Sequence, residues 1–234
     1  MSEIMFEPAV GANYMTTGFE GLRVLLLGES HHGNLAESRP EITQEVVRWL
    51  GQTERFSFFT VVAKALLGIP AGDSISDDRR ASFWEDVCFY QYVQELISGP
   101  RQSPRAQQFA DAAPVLEKVV RALQPDVIVV LGKRMAWSIP KVLGHAEIVN
   151  TTHPQGGFDI AHWTREIATA ITNAKAKKAA RSEPITETIE CIKWAANFSA
   201  ATAPSKEKLE GLQKIAEGIE QDGKDEQAGT PDAE

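Results

Sequence analysis

The chain has 234 residues, of which 43% are hydrophobic and 24% charged, and this is enough apolar material for the core of one globular domain. It contains no run of 18 or more apolar residues, and its first residues have neither the basic flank nor the apolar core of a signal peptide, so we expect a cytoplasmic protein that makes no membrane contact. The formal charge is −8, but residues 183–234 hold 12 acids and 5 bases, a balance of −7, which leaves −1 for residues 1–182. Net acidity therefore does not exclude an anionic partner for the first 182 residues.

The first half of the chain alternates short apolar runs with amphipathic stretches, which is typical of parallel strands joined by crossover helices. Residues 23–28, RVLLLG, predict the first strand. Residues 43–52 and 55–68 have apolar side chains at helical spacing, and the second segment ends at a glycine with a proline two residues later, a helix stop signal. The aromatic segment 83–94 predicts a further strand in its second half.

The second half of the chain shows the pattern most clearly. A helix is predicted up to Leu123, followed by the β-branched strand Val127–Leu131, a glycine and another helix. A last short strand is predicted within residues 146–158, with a helix after it. These elements predict an α/β fold, a three-layer sandwich with a central, mainly parallel four-stranded sheet flanked by helices.

Composition also predicts the domain organisation. We expect an α/β domain over residues 1–182 and a helical appendage over residues 183–221, where apolar residues keep helical spacing. Residues 222–234 have no apolar side chain larger than alanine and predict a disordered acidic tail. This C-terminal region is a candidate site for a protein partner.

Polar residues follow three of the predicted strands. They are Gly28-Glu29-Ser30-His31-His32, Tyr90-Gln91 and His153-Pro154-Gln155. Ligands of open parallel sheets bind beyond the carboxyl ends of the strands, so these residues form one site if the strands lie side by side. The first motif lacks the lysine and hydroxyl of a Walker loop and the GxGxxG of a dinucleotide fold, which disfavours nucleotide hydrolysis and NAD chemistry.

Individual residues of these motifs suggest roles and alternatives. Glu29 is a candidate to position or deprotonate a water, and the alternative is a turn carboxylate that caps the next helix. His153, which precedes a proline, is a candidate donor to a developing oxyanion, and the alternative is a ring bonded only to the neighbouring loop. Gln91, next to Tyr90, offers both a donor and an acceptor to the edge of a base.

Metal binding is a further alternative. His31 and His32 are adjacent, so in an extended chain they point to opposite sides and do not bind one metal ion together. A zinc site would need one of them with Glu29 and His153 from separate loops. The two cysteines, Cys88 and Cys191, have no metal-ligand spacing. We predict no metal and no cofactor.

Four motifs, LLLGES, FYQYVQ, PDVIVVLGKRMA and THPQGGF, resemble the uracil-DNA glycosylase superfamily in their order and spacing, over about residues 20–180. The resemblance implies that Gly28-Glu29-Ser30 is the start of the family's glycine-led motif, in its GEAPG form, with Glu29 and Ser30 in catalysis beside the sugar. It also implies that His153, followed by Pro154 and Gln155, stabilises negative charge on the departing base.

The chain departs from the family pattern at several positions. His31 stands where the family has proline, Gln91 where it usually has a uracil-reading asparagine, and Gln155 where it has serine. The GEAPG branch commonly holds an iron–sulfur cluster through four cysteines, and with two cysteines no cluster is predicted. The substrate pocket implied by the resemblance includes Gly28, His31, His32, Tyr90, Gln91, Pro154 and Gln155.

The resemblance further implies contacts with an extruded base and with duplex DNA. Phe59, or less favourably Phe58, is assigned to stacking on the base, and the alternative is a buried helix. Phe158 is assigned to the wedge that enters the duplex, and the alternative is a core anchor for the next helix. Lys133, Arg134 and Lys141 are candidates for phosphate contacts.

Three functions remain open from the sequence. The first is a DNA glycosylase of base excision repair that hydrolyses the N-glycosidic bond of uracil or another damaged base in DNA. The second is a catalytically altered member that binds nucleic acid or a nucleobase without cleavage. The third is a metal-dependent hydrolase that uses Glu29, His31, His32 and His153.

Overall fold

The computed structural model describes residues 4–34, 37–98, 102–180, 189–200 and 206–228. The strands are β1 (Ala9–Val10), β2 (Val24–Gly28), β3 (His31–His32), β4 (Cys88–Gln91), β5 (Leu96–Ile97), β6 (Val127–Leu131) and β7 (Glu147–Thr151). The helices are α1 (Ile42–Val46, continued by π-helical turns over Val47–Thr53), α2 (Ser57–Leu66), α3 (Asp77–Asp86), α4 (Ala106–Leu123), α5 (Lys133–Ala136), α6 (Ile160–Ala179), α7 (Ile189–Ala200) and α8 (Lys206–Ala228).

The central sheet is mainly parallel and has the strand order β1-β4-β2-β6-β7. β4, β2, β6 and β7 are parallel neighbours, whereas β1 pairs antiparallel with β4 at one edge. The sheet therefore has five strands and mixed direction, not the four strands that we predicted. We did not predict the fifth strand because it has only two paired residues, Ala9 and Val10, and so short a segment shows no strand pattern. β3 and β5 form a separate two-stranded sheet.

Helices cover both faces of the sheet, because the side chains of each central strand alternate between two apolar clusters. In β2, Val24 and Leu26 face a cluster that includes residues of α1, α2, α3, α6 and α8. Leu25 and Leu27 face a second cluster, with residues of α4 and α7. The continuous apolar run of the strand follows from burial on both sides. The predicted α/β class with a helix-flanked parallel sheet is thus the observed one.

The two C-terminal helices pack against the sheet domain. Trp194 and Phe198 of α7 are buried, and Ile215 of α8 lies in the first cluster. Helix α8 continues to Ala228, so the first seven residues of the segment that we expected to be disordered are helical. Glu, Lys, Gln and Ala favour helix even without apolar neighbours, and low apolar content alone did not predict this extension. The predicted domain boundary at residue 182 and the end of the predicted tail lie outside the described residues.

In the described ranges, none of the helices is both long enough and apolar enough to cross a membrane.

Candidate functional site

The carboxyl ends of the four parallel strands meet at one edge of the sheet. Gln91 ends β4, Glu29 follows β2, Arg134 lies three residues beyond β6, and His153 lies two residues beyond β7. Neighbouring strands are about 4.8 Å apart, so the ends of β2 and β7, with β6 between them, are separated by about 10 Å. The topology therefore places the three predicted motifs at the same sheet edge, where ligands of open α/β sheets bind.

Gln91 and Gly28 are directly paired across β4 and β2. A Cβ atom added to Gly28 would overlap Oε1 of Gln91 and lie 2.9 Å from Cζ of Phe89, so glycine leaves the space that the amide occupies. Gln91 is buried, and its Oε1 has no hydrogen-bond partner among the described residues. The buried hydroxyl of Ser30, two residues beyond Gly28, also lacks a described partner. Because both atoms lie at the carboxyl edge of the sheet, they are candidate ligand contacts.

Glu29 is held by an arginine that follows β6. Arg134 donates from Nη2 to Oε1 of Glu29 at 2.7 Å and from Nε to Oε2 at 3.2 Å, and its Nη1 donates to Oγ of Ser103 at 2.6 Å. An arginine fork of this geometry binds a carboxylate in its ionised form. Glu29, 7% exposed, is thus a fixed anion rather than a helix cap. Arg134, which we expected to contact DNA phosphate, directs its guanidinium to Glu29 and Ser103 instead.

His153 is 5% exposed and lies beside an aromatic ring of α2. Its Nδ1 accepts a hydrogen bond from the backbone N–H of Gln155 at 3.3 Å, which assigns the proton of the neutral ring to Nε2. The ring centroid is 5.3 Å from that of Phe58. Pro154 is buried, and Oε1 of Gln155 lacks a described partner. The loop after β7 therefore places an imidazole next to an aromatic side chain.

Phe59 does not have the position expected of a base-stacking residue. It is fully buried, and its ring contacts those of Phe58, Trp84 and Phe89 in the interior. Phe59 therefore fits the alternative that we considered, a residue of a buried helix. The aromatic side chain next to His153 is Phe58. Helical spacing alone could not distinguish two adjacent phenylalanines on one apolar face.

Phe158, the predicted wedge, is half-buried and packs against the core. Its ring centroid is 6.1 Å from that of Trp163, whose Nε1 donates to Oγ1 of Thr152 at 3.0 Å. These contacts match the alternative of a core anchor at the start of α6. They also fix the loop that carries His153.

Tyr90 faces the opposite side of the sheet from Gln91. Its side chain lies in the second cluster with Leu25 and Leu27, and its hydroxyl has no partner in the described part of the chain. Burial raises the pKa of Tyr90. Because adjacent strand residues alternate, Tyr90 and Gln91 do not share one pocket.

The two adjacent histidines are interior residues. Nε2 of His31 is 2.9 Å from Oγ1 of Thr43, and burial, with smaller effects of nearby His32 and Arg39, lowers the pKa of His31 to about 3. His32 is buried under α8, where a Cβ atom on Gly218 would overlap the histidine Cβ and Cγ. β3 therefore anchors the C-terminal helix next to the candidate site.

Metal ligation was an alternative that the sequence left open for the histidines. Within the described ranges, no three His, Cys, Asp or Glu side chains are grouped so that they could hold a metal ion.

One exposed residue at this edge was missed by the sequence analysis. Trp137, directly after α5, is 65% exposed, and Lys133, one turn earlier, is also exposed. The sequence feature that could have identified Trp137 is its position in a segment that follows a buried strand and contains no acidic residue.

The sequence was also compared with known proteins. It matches no protein-family model, and a search of curated proteins found no match.

Proposed function

We propose that this protein is a DNA glycosylase-like enzyme of base excision repair, which hydrolyses the N-glycosidic bond of uracil or another damaged base in DNA. In this proposal, the sheet and the helices on its two faces correspond to the three-layer sandwich of the uracil-DNA glycosylase superfamily. The observation that carries it is the set of polar groups at the carboxyl edge, above all the buried oxygens of Ser30 and Gln91 without described partners.

These two oxygens suit a nucleobase. Enzymes that act on a base extrude it from the stack and recognise its edge by hydrogen bonds. Leaving a buried polar atom unpaired costs about 1–3 kcal/mol, so such atoms are retained where a ligand uses them. Gln91 Oε1 accepts an N–H from the base edge, and the Gln91 amide nitrogen donates to a base oxygen.

His153 and Glu29 supply the charges that the cleavage step needs. As the glycosidic bond breaks, the base leaves with the electron pair and the sugar develops positive, oxocarbenium-like charge. Nε2–H of His153 donates to the oxygen of the departing base, where negative charge accumulates. The ionised carboxylate of Glu29, held by Arg134, stabilises the sugar cation and orients the attacking water. The water oxygen bonds to the sugar carbon, and its proton is released to the base or to solvent.

A second candidate function is binding of nucleic acid or a nucleobase without cleavage. It is favoured by the ion pair itself, because each oxygen of Glu29 accepts a hydrogen bond from Arg134, so the carboxylate already has a structural partner in the protein. In this case the polar atoms at the sheet edge recognise a base, but no bond breaks.

The test is incubation with a panel of oligonucleotides that each carry one modified base, followed by alkali to cleave abasic sites. We expect alkali-labile product with at least one base, and a rate lower by about 10²–10³-fold in His153→Gln, the usual loss for one oxyanion donor. Gln91→Ala changes which base is accepted. The matched control is His145→Ala, because His145 lies before β7, at the opposite end of the sheet.

The outcomes separate the two candidates. No product with any base, together with binding of the same oligonucleotides in a gel shift at low salt, rejects cleavage and supports the second candidate. Neither product nor binding refutes both functions. Equal rates in His153→Gln and His145→Ala would show that the proposed donor is not used.

A further inference from the structure

A groove lies between the π-helical turns that follow α1 and the C-terminal helix α8. One wall comes from residues within 49–56, and the other from one face of α8, where positions 213, 216, 217 and 220 recur at helical spacing. Leu50 and Ala216, which are buried, give the groove an apolar base. Its volume is about 570 Å³, within the range of small-molecule sites in proteins. The groove is therefore large enough for a small organic ligand.

The first wall of the groove is held in place by a buried arginine. Arg80 donates from Nη1 to the backbone carbonyls of Gly51 and Glu54, the latter at 2.7 Å. Trp49 and Phe56 are half-buried, because each ring packs against the first cluster and also lines the groove. π-Helical turns are rare and occur frequently at functional sites. This wall therefore presents two aromatic side chains on a fixed backbone.

Three carboxylates line the same groove. They are Glu54 of the first wall and Glu217 and Glu220 of α8, all exposed, and their side chains form no ion pair or hydrogen bond with the residues that the structure describes. Arg55 also lines the groove, but its Nε lies 2.9 Å from Oδ1 of Asp77, so its charge is already matched by a carboxylate. The remaining negative charge favours a cationic ligand.

The three carboxylates do not converge on one point. In the described part of the chain, no three His, Cys, Asp or Glu side chains are grouped closely enough to hold a metal ion. Glu217 and Glu220 are one helical turn apart and Glu54 lies on the opposite wall, so the negative charges are spread along the groove. A ligand with several separated positive charges matches this pattern better than a single metal ion does.

We propose that this groove binds a linear polyamine, an aliphatic chain with ammonium groups at intervals. The ammonium groups pair with Glu54, Glu217 and Glu220, because each ammonium donates charge-assisted hydrogen bonds to a carboxylate. The methylene segments lie against Trp49 and Phe56, whose ring faces also attract ammonium groups. The proposal is independent of the proposed function, since the groove shares no residue with the site at the sheet edge.

The test is isothermal titration calorimetry of the full-length chain with spermidine at fixed ionic strength. We expect saturable binding of one spermidine per chain. The double variant Glu217→Gln/Glu220→Gln should weaken binding by about 2- to 30-fold, the range for loss of two exposed ion pairs. The matched control is Glu117→Gln/Glu166→Gln, which removes the same charge from exposed positions of α4 and α6 outside the groove. The control should bind spermidine like the wild type.

Further variants and competitors separate specific binding from charge screening. Trp49→Ala should weaken spermidine binding by about 2- to 30-fold through loss of the aromatic contact, and Trp49→Phe should retain part of it. Choline, and MgCl₂ at the same ionic strength, should compete only weakly, because neither offers separated ammonium groups. Absence of saturable binding, equal affinity of the Glu217→Gln/Glu220→Gln variant and its control, or competition by MgCl₂ or choline as strong as that by spermidine would each overturn the proposal.

Discussion

The ion pair between Glu29 and Arg134 predicts a measurable loss of stability when its cation is removed. The side chain of Glu29 is 5% exposed and that of Arg134 25%. Arg134→Met therefore leaves an enclosed carboxylate without its counter-charge, and breaking a buried pair in this way costs about 3–5 kcal/mol. We expect the lower end, about 3 kcal/mol, because water reaches part of the arginine. For a chain of this size the loss corresponds to a fall in Tm of about 6–12 °C.

The assay is urea unfolding of four proteins that form a double-mutant cycle. Glu29→Leu should cost less than Arg134→Met, because the partly exposed guanidinium can turn to water. The double variant Glu29→Leu/Arg134→Met should lie within about 1 kcal/mol of the wild type, since an apolar pair replaces both charges. If Arg134→Met changed stability by less than about 0.5 kcal/mol, or if the two single effects were additive, the ion pair would not contribute to the stability of the fold.

Three further predictions concern packing and protonation. Gly218→Ala should destabilise the chain by about 1–3 kcal/mol in urea unfolding, because its Cβ overlaps His32, whereas Gly211→Ala, whose Cβ meets only a flexible carboxylate oxygen at 3.1 Å, should be neutral or stabilising; equal effects would contradict the close packing. His31 has a pKa of about 3 when folded and about 6.5 when unfolded, so the unfolded state binds more protons between these values, and stability should fall as the pH drops from 6.5 towards 3. In His31→Gln, the free energy of unfolding should change less with pH over this range. An unchanged slope against pH would assign the titration to other groups. Phe59→Ala should lower the free energy of unfolding by about 3–5 kcal/mol, because it deletes a core side chain. A variant with normal stability that had lost only oligonucleotide binding would show that Phe59 contacts the ligand instead.

Local patterns predicted the elements that position the candidate site. The apolar runs of residues 23–28 and 127–131 are β2 and β6, and the helical spacing before Leu123 is α4. Such elements are predictable because a strand buried on both faces must be apolar throughout, and a surface helix must repeat its apolar residues every three or four positions. The sheet-edge position of Glu29, Gln91 and His153 follows from the parallel order of these strands.

Other features depended on contacts between distant segments. The partner of Glu29 is 105 residues away, and its geometry follows from which strand lies next to β2. Phe58 and Phe59 differ in environment only through the helix rotation that packing selects. His31 and His32 have the composition of a metal site, yet they are enclosed by Thr43 and by Gly218 of α8, an element almost 200 residues further along the chain.

The sequence by itself determined the α/β class, the main strands and helices, and the positions at which polar residues follow strands, because these depend on periodicity and on local backbone preference. Only the tertiary structure decided which polar side chains are paired and which buried atoms lack described partners. The tertiary structure also decided which aromatic side chain is exposed to solvent. These properties arise from desolvation and contact between segments that are remote in sequence, and no local pattern records such contacts.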